Sequence, residues 1–200
     1  YGALARTQER LTFRRTHDPQ TRLLNADTLR QRLKRTVEHA QRNDVQHAFL
    51  LLDIDRFHLV NDLYGDEQGD DVIHAFAQML AQLNERRSVT ARLEGDRFGI
   101  VLAYRDRDEA LAFAERIRED IAGSSLQLGG EAISFTVSIG VAPIASETAD
   151  VDAVMEQAGG ALARAKEKGR NCCVAYDRDE EEIVAARRER ERSRVMLDDA

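Results

Sequence analysis

The sequence predicts one α/β domain in which helices pack on a central mixed β-sheet, and three observations carry that prediction. Short apolar runs of strand length, at residues 48–53 and 98–102, alternate with longer segments whose apolar residues recur at helical spacing. The segments follow the order helix, strand, helix, helix, hairpin, helix, strand, helix, strand, which suits a sheet covered by helices. The 200 residues are 42% apolar and 32% charged, enough for one sizeable core and ordinary for a soluble globular chain.

Residues 1–16 are polar, lack proline and place Leu4 and Leu11 one heptad apart, so a linker helix, such as the end of a coiled coil, is expected there. Asp18-Pro19 interrupts the pattern. Asn25 can then cap a helix reaching about Asn43, with Leu29, Leu33, Val37 and Ala40 on one face. The run Ala-Phe-Leu-Leu-Leu-Asp at 48–53 reads as a central strand buried on both faces. A helical segment follows from Arg56 to near Gly65. A second, at about 67–84, carries Val72, Ile73, Phe76, Met79, Leu80 and Leu83 at helical spacing. Residues 89–93 and 98–102 read as two strands joined by a tight turn at 94–97. Residues 108–122 form a helix with Leu111, Ala114, Ile117 and Ile121 inward. Ile133, Phe135, Val137, Ile139 and Val141 alternate strictly, predicting a strand with one buried face. Residues 151–168 read as a helix stopping at Gly169, and 172–176 as a last strand. Beyond Asp177 the chain is nearly all charged up to Arg194, as in a solvated helix or linker. The expected organisation is a linker at 1–16, a domain at 17–177 and a charged linker helix at 178–200.

Composition excludes several roles. No apolar run approaches the roughly 18 residues that span a bilayer, and residues 1–15 carry charge without the apolar core of a signal peptide. A net charge of -7 supplies no basic face for nucleic acid. Cys172 and Cys173 are adjacent and could close a disulfide only with strain. They read as two partly buried thiols, which points to a reducing, cytoplasmic setting.

Three groups of residues can carry chemistry. Asp53-Ile54-Asp55 ends the central strand, where ligands bind in open α/β sheets, and carboxylates there suit a hard divalent cation. Equally, Asp55 can cap the helix that begins at Arg56. Asn61 and Asp70 offer an amide and a carboxylate able to read a guanine edge, or they serve as caps and turn formers. Lys166 and Arg170 lie four apart around a helix end and can clamp phosphates, or complement the helix dipole.

The order and wording of these segments go further. Asp53-Ile54-Asp55-Arg56-Phe57, Asn61-Asp62-Leu63-Tyr64-Gly65 and Gly69-Asp70 form one stretch. Before it stands Asp18-Pro19-Gln20-Thr21-Arg22-Leu23-Leu24-Asn25; after it stand Arg92 to Phe98, Phe135 to Val141, and Ala165-Lys166-Glu167-Lys168-Gly169-Arg170-Asn171. Together they resemble the GGDEF domains of bacterial cyclic di-GMP signalling over about residues 17–177. The resemblance implies a palm-like nucleotide-cyclase fold. It implies two GTP molecules, held by two facing domains of a homodimer and joined into cyclic di-GMP, with Mg²⁺, or Mn²⁺ in its place, as cofactor. By the same resemblance, Asp53, the Ile54 carbonyl and Asp96 are metal ligands, and Asp96 is also the candidate to activate the attacking hydroxyl. Phe57, Asn61 and Asp70 belong to the nucleotide pocket, and Lys166 and Arg170 hold phosphates.

The chain departs from the family's wording at the signature loop, which reads Glu94-Gly95-Asp96-Arg97-Phe98. Arg97 places a permanent cation where the family has Glu. At about 4 Å and a dielectric near 20, one such charge interaction is worth about 4 kcal/mol. Glu94 replaces a Gly, so a left-handed backbone costing roughly 1–2 kcal/mol is expected there. His58, Asp66 and Arg22 also replace the usual Lys, His and Gly. Glu85 and Ser88 stand where the family's inhibitory product site has Arg and Asp. The leading reading is a degenerate domain that binds GTP as a regulatory module with weak or no cyclase activity. The alternatives are an active diguanylate cyclase and a purely structural, dimerising module. The two charged ends resemble connectors to an upstream sensor domain and a downstream EAL phosphodiesterase domain.

Overall fold

All eight residues of strand β1 (His47–Ile54) are buried, as expected of the apolar run at 48–53. The computed structural model describes Phe13 and residues 15–83, 85–128 and 130–178. Around β1 lie α1 (Ala26–Asn43), α2 (Phe57–Tyr64), α3 (Asp66–Leu83), β2 (Ser88–Arg92), β3 (Arg97–Ala103), α4 (Arg107–Ala122), β4 (Leu126–Leu128), β5 (Glu131–Ile133), β6 (Val137–Ile144), α5 (Val151–Glu167) and β7 (Cys173–Ala175). The main sheet has the order β2-β3-β1-β6-β7. Strand β1 is antiparallel to β3 and β6, and β6 is parallel to β7, so the sheet is mixed.

Side chains alternate across a strand, and β1 therefore divides the core. Ala48, Leu50, Leu52 and Ile54 join Val72, Ile73, Phe76 and Leu80 of α3 and Ala110, Phe113 and Ile117 of α4. Phe49 and Leu51 join Leu29, Leu33 and Val37 of α1 and Val154, Ala158 and Leu162 of α5. Each large apolar side chain so buried contributes about 1.5–3 kcal/mol. The same parity puts Asp53 on the α1/α5 side of the sheet. Helix starts follow the sequence: the Asn25 side chain accepts from Thr28 N–H, Asp106 and Glu109 form a capping box, and Asp150 accepts from Ala153 N–H.

Several expectations need correction. The alternating run 133–141 is not one strand with one buried face. Ile133 belongs to a separate hairpin of β4 and β5, and β6 is buried on both faces. The small residues between its apolar ones do not face water: a Cβ on Gly140 would lie 2.2 Å from the Ala158 carbonyl, so α5 packs directly on the strand. Asp55 does not cap α2; the cap position is Arg56, with no side-chain capping bond. Glu94 is not left-handed. Gly95 takes that role with φ +58°, whereas Arg22 does adopt φ +63°. Of the helix expected at 1–16, Phe13, Arg15 and Thr16 are helical, and the rest lies outside the described residues. The charged segment 178–200 lies outside them except for Arg178. Among the described residues, no helix is long and apolar enough to cross a membrane.

Candidate functional site

The strand end is organised around Asp53. Antiparallel register sets Arg97, the first residue of β3, directly across from Asp53. Arg97 Nε donates to Asp53 Oδ2 at 3.2 Å. Lys166, in the last turn of α5, places Nζ 2.6 Å from Asp53 Oδ1. Both oxygens of one carboxylate thus carry a cation. The Asp53 side chain is 5% exposed, against 54% for Arg97, so the anion is inside and the guanidinium at the rim. A buried carboxylate stripped of a partner typically costs about 3–5 kcal/mol, and here two partners meet it. Asp96 stands beside this pair at the hairpin turn. Burial, and then the Asp53 carboxylate, push its carboxyl above the usual carboxylate range.

The second group lies where α2 meets α3. Asn61 projects from α2 toward Gly69 of α3. A Cβ on Gly69 would sit 1.8 Å from Asn61 Oδ1 and 3.3 Å from the Phe57 ring, so any side chain there would push the Asn61 amide aside. Asn61 Oδ1 is buried and has no hydrogen-bond partner. Such an orphaned acceptor costs about 1–3 kcal/mol. Asp70 is exposed and accepts from Gln20 Nε2 on Oδ1 at 2.8 Å. Gln20 is in turn gripped by Arg92. Arg92 also donates to the Gly95 carbonyl at 3.0 and 3.1 Å and to Asp18 Oδ1 at 3.3 Å. The opening segment, the signature turn and the Asp70 carboxylate are therefore one hydrogen-bonded unit. Gln20 and Arg92 were not assigned roles from the sequence; their contacts span 50 and 72 residues, beyond any local signal.

A third group fixes the turn after α5. Asp55 accepts from the Thr136 and Ser138 hydroxyls, each at 2.7 Å, and from Asn171 N–H at 2.9 Å. It anchors a turn in which Arg170 and Asn171 hold φ of +67° and +46°. Arg170 is exposed and borders a cleft of about 370 Å³ with Leu59, Leu63 and Phe135. The structure therefore brings Lys166 to Asp53 but sets Arg170 on a different wall.

The chain matches the family "Diguanylate cyclase, GGDEF domain" over residues 15–172. It belongs to the GGDEF family. The diguanylate cyclase DgcM of Escherichia coli is 34% identical over 174 residues, covering 85% of this chain and 40% of DgcM. MucR of Pseudomonas aeruginosa, a bifunctional diguanylate cyclase/cyclic di-GMP phosphodiesterase, is 31% identical over 84% of this chain and 24% of its own length. The GGDEF chain thus spans well under half the length of these curated relatives. Among solved structures, the coiled coil and GGDEF domain of DgcB from Caulobacter crescentus, in complex with c-di-GMP, superposes with a TM-score of 0.80 at 26% identity. That alignment covers 87% of this chain and 92% of that one. The fold is that of GGDEF cyclase domains, as the motifs implied, and the chain is a diguanylate cyclase-type domain of cyclic di-GMP signalling.

The family is generally metal-dependent, and a divalent ion needs free oxygen ligands, which the donor set of this GGDEF domain does not offer. Of the two carboxylates at the strand end, Asp53 is taken up by Arg97 and Lys166. In the segment before β2, Glu85 accepts from Arg105 at 2.9 Å and Arg116 at 2.5 Å. The carboxylate at the end of β1 is thus neutralised by two side-chain cations.

Proposed function

We propose that this GGDEF domain binds GTP as a regulatory module and condenses it weakly or not at all. The observation that carries the reading is the contrast between Asn61 and Asp53. The acceptor on Asn61 is buried, unpaired and walled by Gly69 and Phe57, ready for a guanine N–H, and Asp70 keeps one carboxylate oxygen beside it. Asp53 has both oxygens bound to cations and is not available to draw a metal toward a reacting hydroxyl. Binding and chemistry are thereby separated. Lys166 stays near enough to meet a phosphate, Asp96 has lost acidity through burial, and no step of hydroxyl activation is assigned to it. Occupancy by GTP would be passed to a covalently linked domain, the kind of arrangement that the bifunctional relative MucR has.

Two measurements test the reading. Calorimetry with GTP should give a saturable heat, and chromatography after long incubation with GTP, Mg²⁺ and Mn²⁺ should give no cyclic di-GMP above a blank. Absence of heat at high protein concentration sinks the binding claim. Steady formation of cyclic di-GMP favours the active-cyclase reading, and identical melting with and without GTP favours a purely structural module.

A further inference from the structure

We infer that Arg97 takes the place of a divalent cation, so that this domain holds a nucleoside triphosphate without Mg²⁺. The inference rests on the GTP-binding reading above and adds how the phosphates are held. Its basis is the charge layout at the strand end. The letters that name the family place Glu after the signature Asp; here that position is Arg97. Exchanging one negative charge for one positive moves the local charge by two elementary units, which is the charge of one divalent ion. The structure gives that charge a fixed position. Arg97 is in ladder register with Asp53, and its Nε–Asp53 bond orients the guanidinium plane. Its two Nη groups hold no hydrogen bond among the described residues, and the side chain is half exposed at the mouth of the site. A planar fork with unspent donors is suited to phosphate oxygens. Lys166, on the other Asp53 oxygen, supplies a second cation from the opposite wall.

The arrangement also explains why a metal would gain little. An incoming divalent ion would have to displace Lys166 or Arg97 from a buried carboxylate, leaving that cation beside it. Asp53, Arg97 and Lys166 sum to a single positive charge, set against the Asp96 carboxylate beside them, so two cations already balance the two carboxylates at the strand end without a metal. The ion pair does for the nucleotide site what a bound metal does elsewhere: it sets a positive charge at the rim and keeps Asp53 from repelling phosphate.

The test is GTP affinity measured in excess MgCl₂ and again in excess EDTA, on the whole 200-residue chain and on Arg97→Glu and Arg97→Gln variants. The wild-type affinities should agree within about threefold. Arg97→Gln should weaken binding about tenfold in EDTA, and Arg97→Glu more, with Mg²⁺ restoring affinity only in the Glu variant. A second readout uses Mn²⁺ alone, without nucleotide: its electron paramagnetic resonance signal should be unchanged by wild-type protein and diminished by Arg97→Glu. A wild-type protein that binds GTP at least tenfold better with Mg²⁺ overturns this inference and leaves the GTP reading standing. Saturable Mn²⁺ uptake by the wild type overturns it whatever GTP does. Failure to bind GTP in either buffer overturns the GTP reading together with this extension of it.

Discussion

The contact between α2 and α3 at Asn61 and the end of β1 at Asp53 differ in what each leaves open. Near Gly69, a buried acceptor on Asn61 waits without a partner, at a cost the fold tolerates. At the hairpin, every oxygen of Asp53 is satisfied from within. An unpaired group in a structured place marks a spot completed by a ligand, whereas a group paired twice over has little left to offer one. On the reading proposed above, recognition and catalysis can be lost separately. One register position, Arg97 across from Asp53, pairs that carboxylate without touching Asn61.

The largest expected effect lies at the residue that fixes the turn after α5. Asp55 meets three donors, Thr136, Ser138 and Asn171 N–H. Asp55→Ala leaves them facing a cavity, and a loss of about 2–4 kcal/mol is expected, read as a lower urea midpoint. A change below about 1 kcal/mol would show that this hub is not structural. Next comes Gly69→Ala. Alanine favours a helix by about 1 kcal/mol over glycine, but its methyl would strike Asn61 Oδ1. GTP affinity should fall about 10- to 100-fold while the melting temperature moves little; unchanged affinity would remove Asn61 from the base site. Asp53→Asn sharpens the contrast. In a site that needs metal it would weaken GTP binding. Here it releases two cations toward the phosphates, and affinity should hold or rise about threefold.

The smallest effect lies at the far end of β1. Tyr104 N–H donates to His47 Nδ1 at 2.9 Å, and His47 Nε2 lies 3.0 Å from His39 Nδ1, so His47 is held neutral. Burial, and then His39, lower its pKa. The folded state therefore binds fewer protons than the unfolded chain, and stability falls as pH drops below the ordinary histidine value of about 6.5. Urea midpoints between pH 7.5 and 5 should decline, and His47→Gln should flatten that part of the slope. An unaltered slope would assign it to other groups.

Much of this was legible in the sequence, for definite reasons. The run at 48–53 is apolar at every position, and only a strand with both faces covered uses such a run, so β1 and its central place followed. Leu29, Leu33, Val37 and Ala40 announced α1 by spacing alone. The ordered motifs gave the family and the positions of Asp53, Asn61, Asp70 and Lys166. What was not legible depends on contacts distant in sequence. Nothing local shows that Ser138 is buried against Asp55, so β6 read as half exposed and Asp55 as a cap. Glu94 was expected to inherit a left-handed turn from a glycine, but the hairpin closes with Gly95 in that conformation. Arg22, which also replaces a glycine, keeps the strained backbone, with its guanidinium 5.4 Å from the centre of the Phe13 ring. The cation at 97, where the resemblance implies Glu, was visible; that it would settle on Asp53 required the register.

The most direct measurement is a crystal structure of this chain grown with GTP and MgCl₂. The account predicts guanine against Asn61 and Asp70, with Arg97 and Lys166 still on Asp53 and facing the phosphates. Two magnesium ions bridging Asp53 and Asp96, with Arg97 turned into solvent, would contradict it.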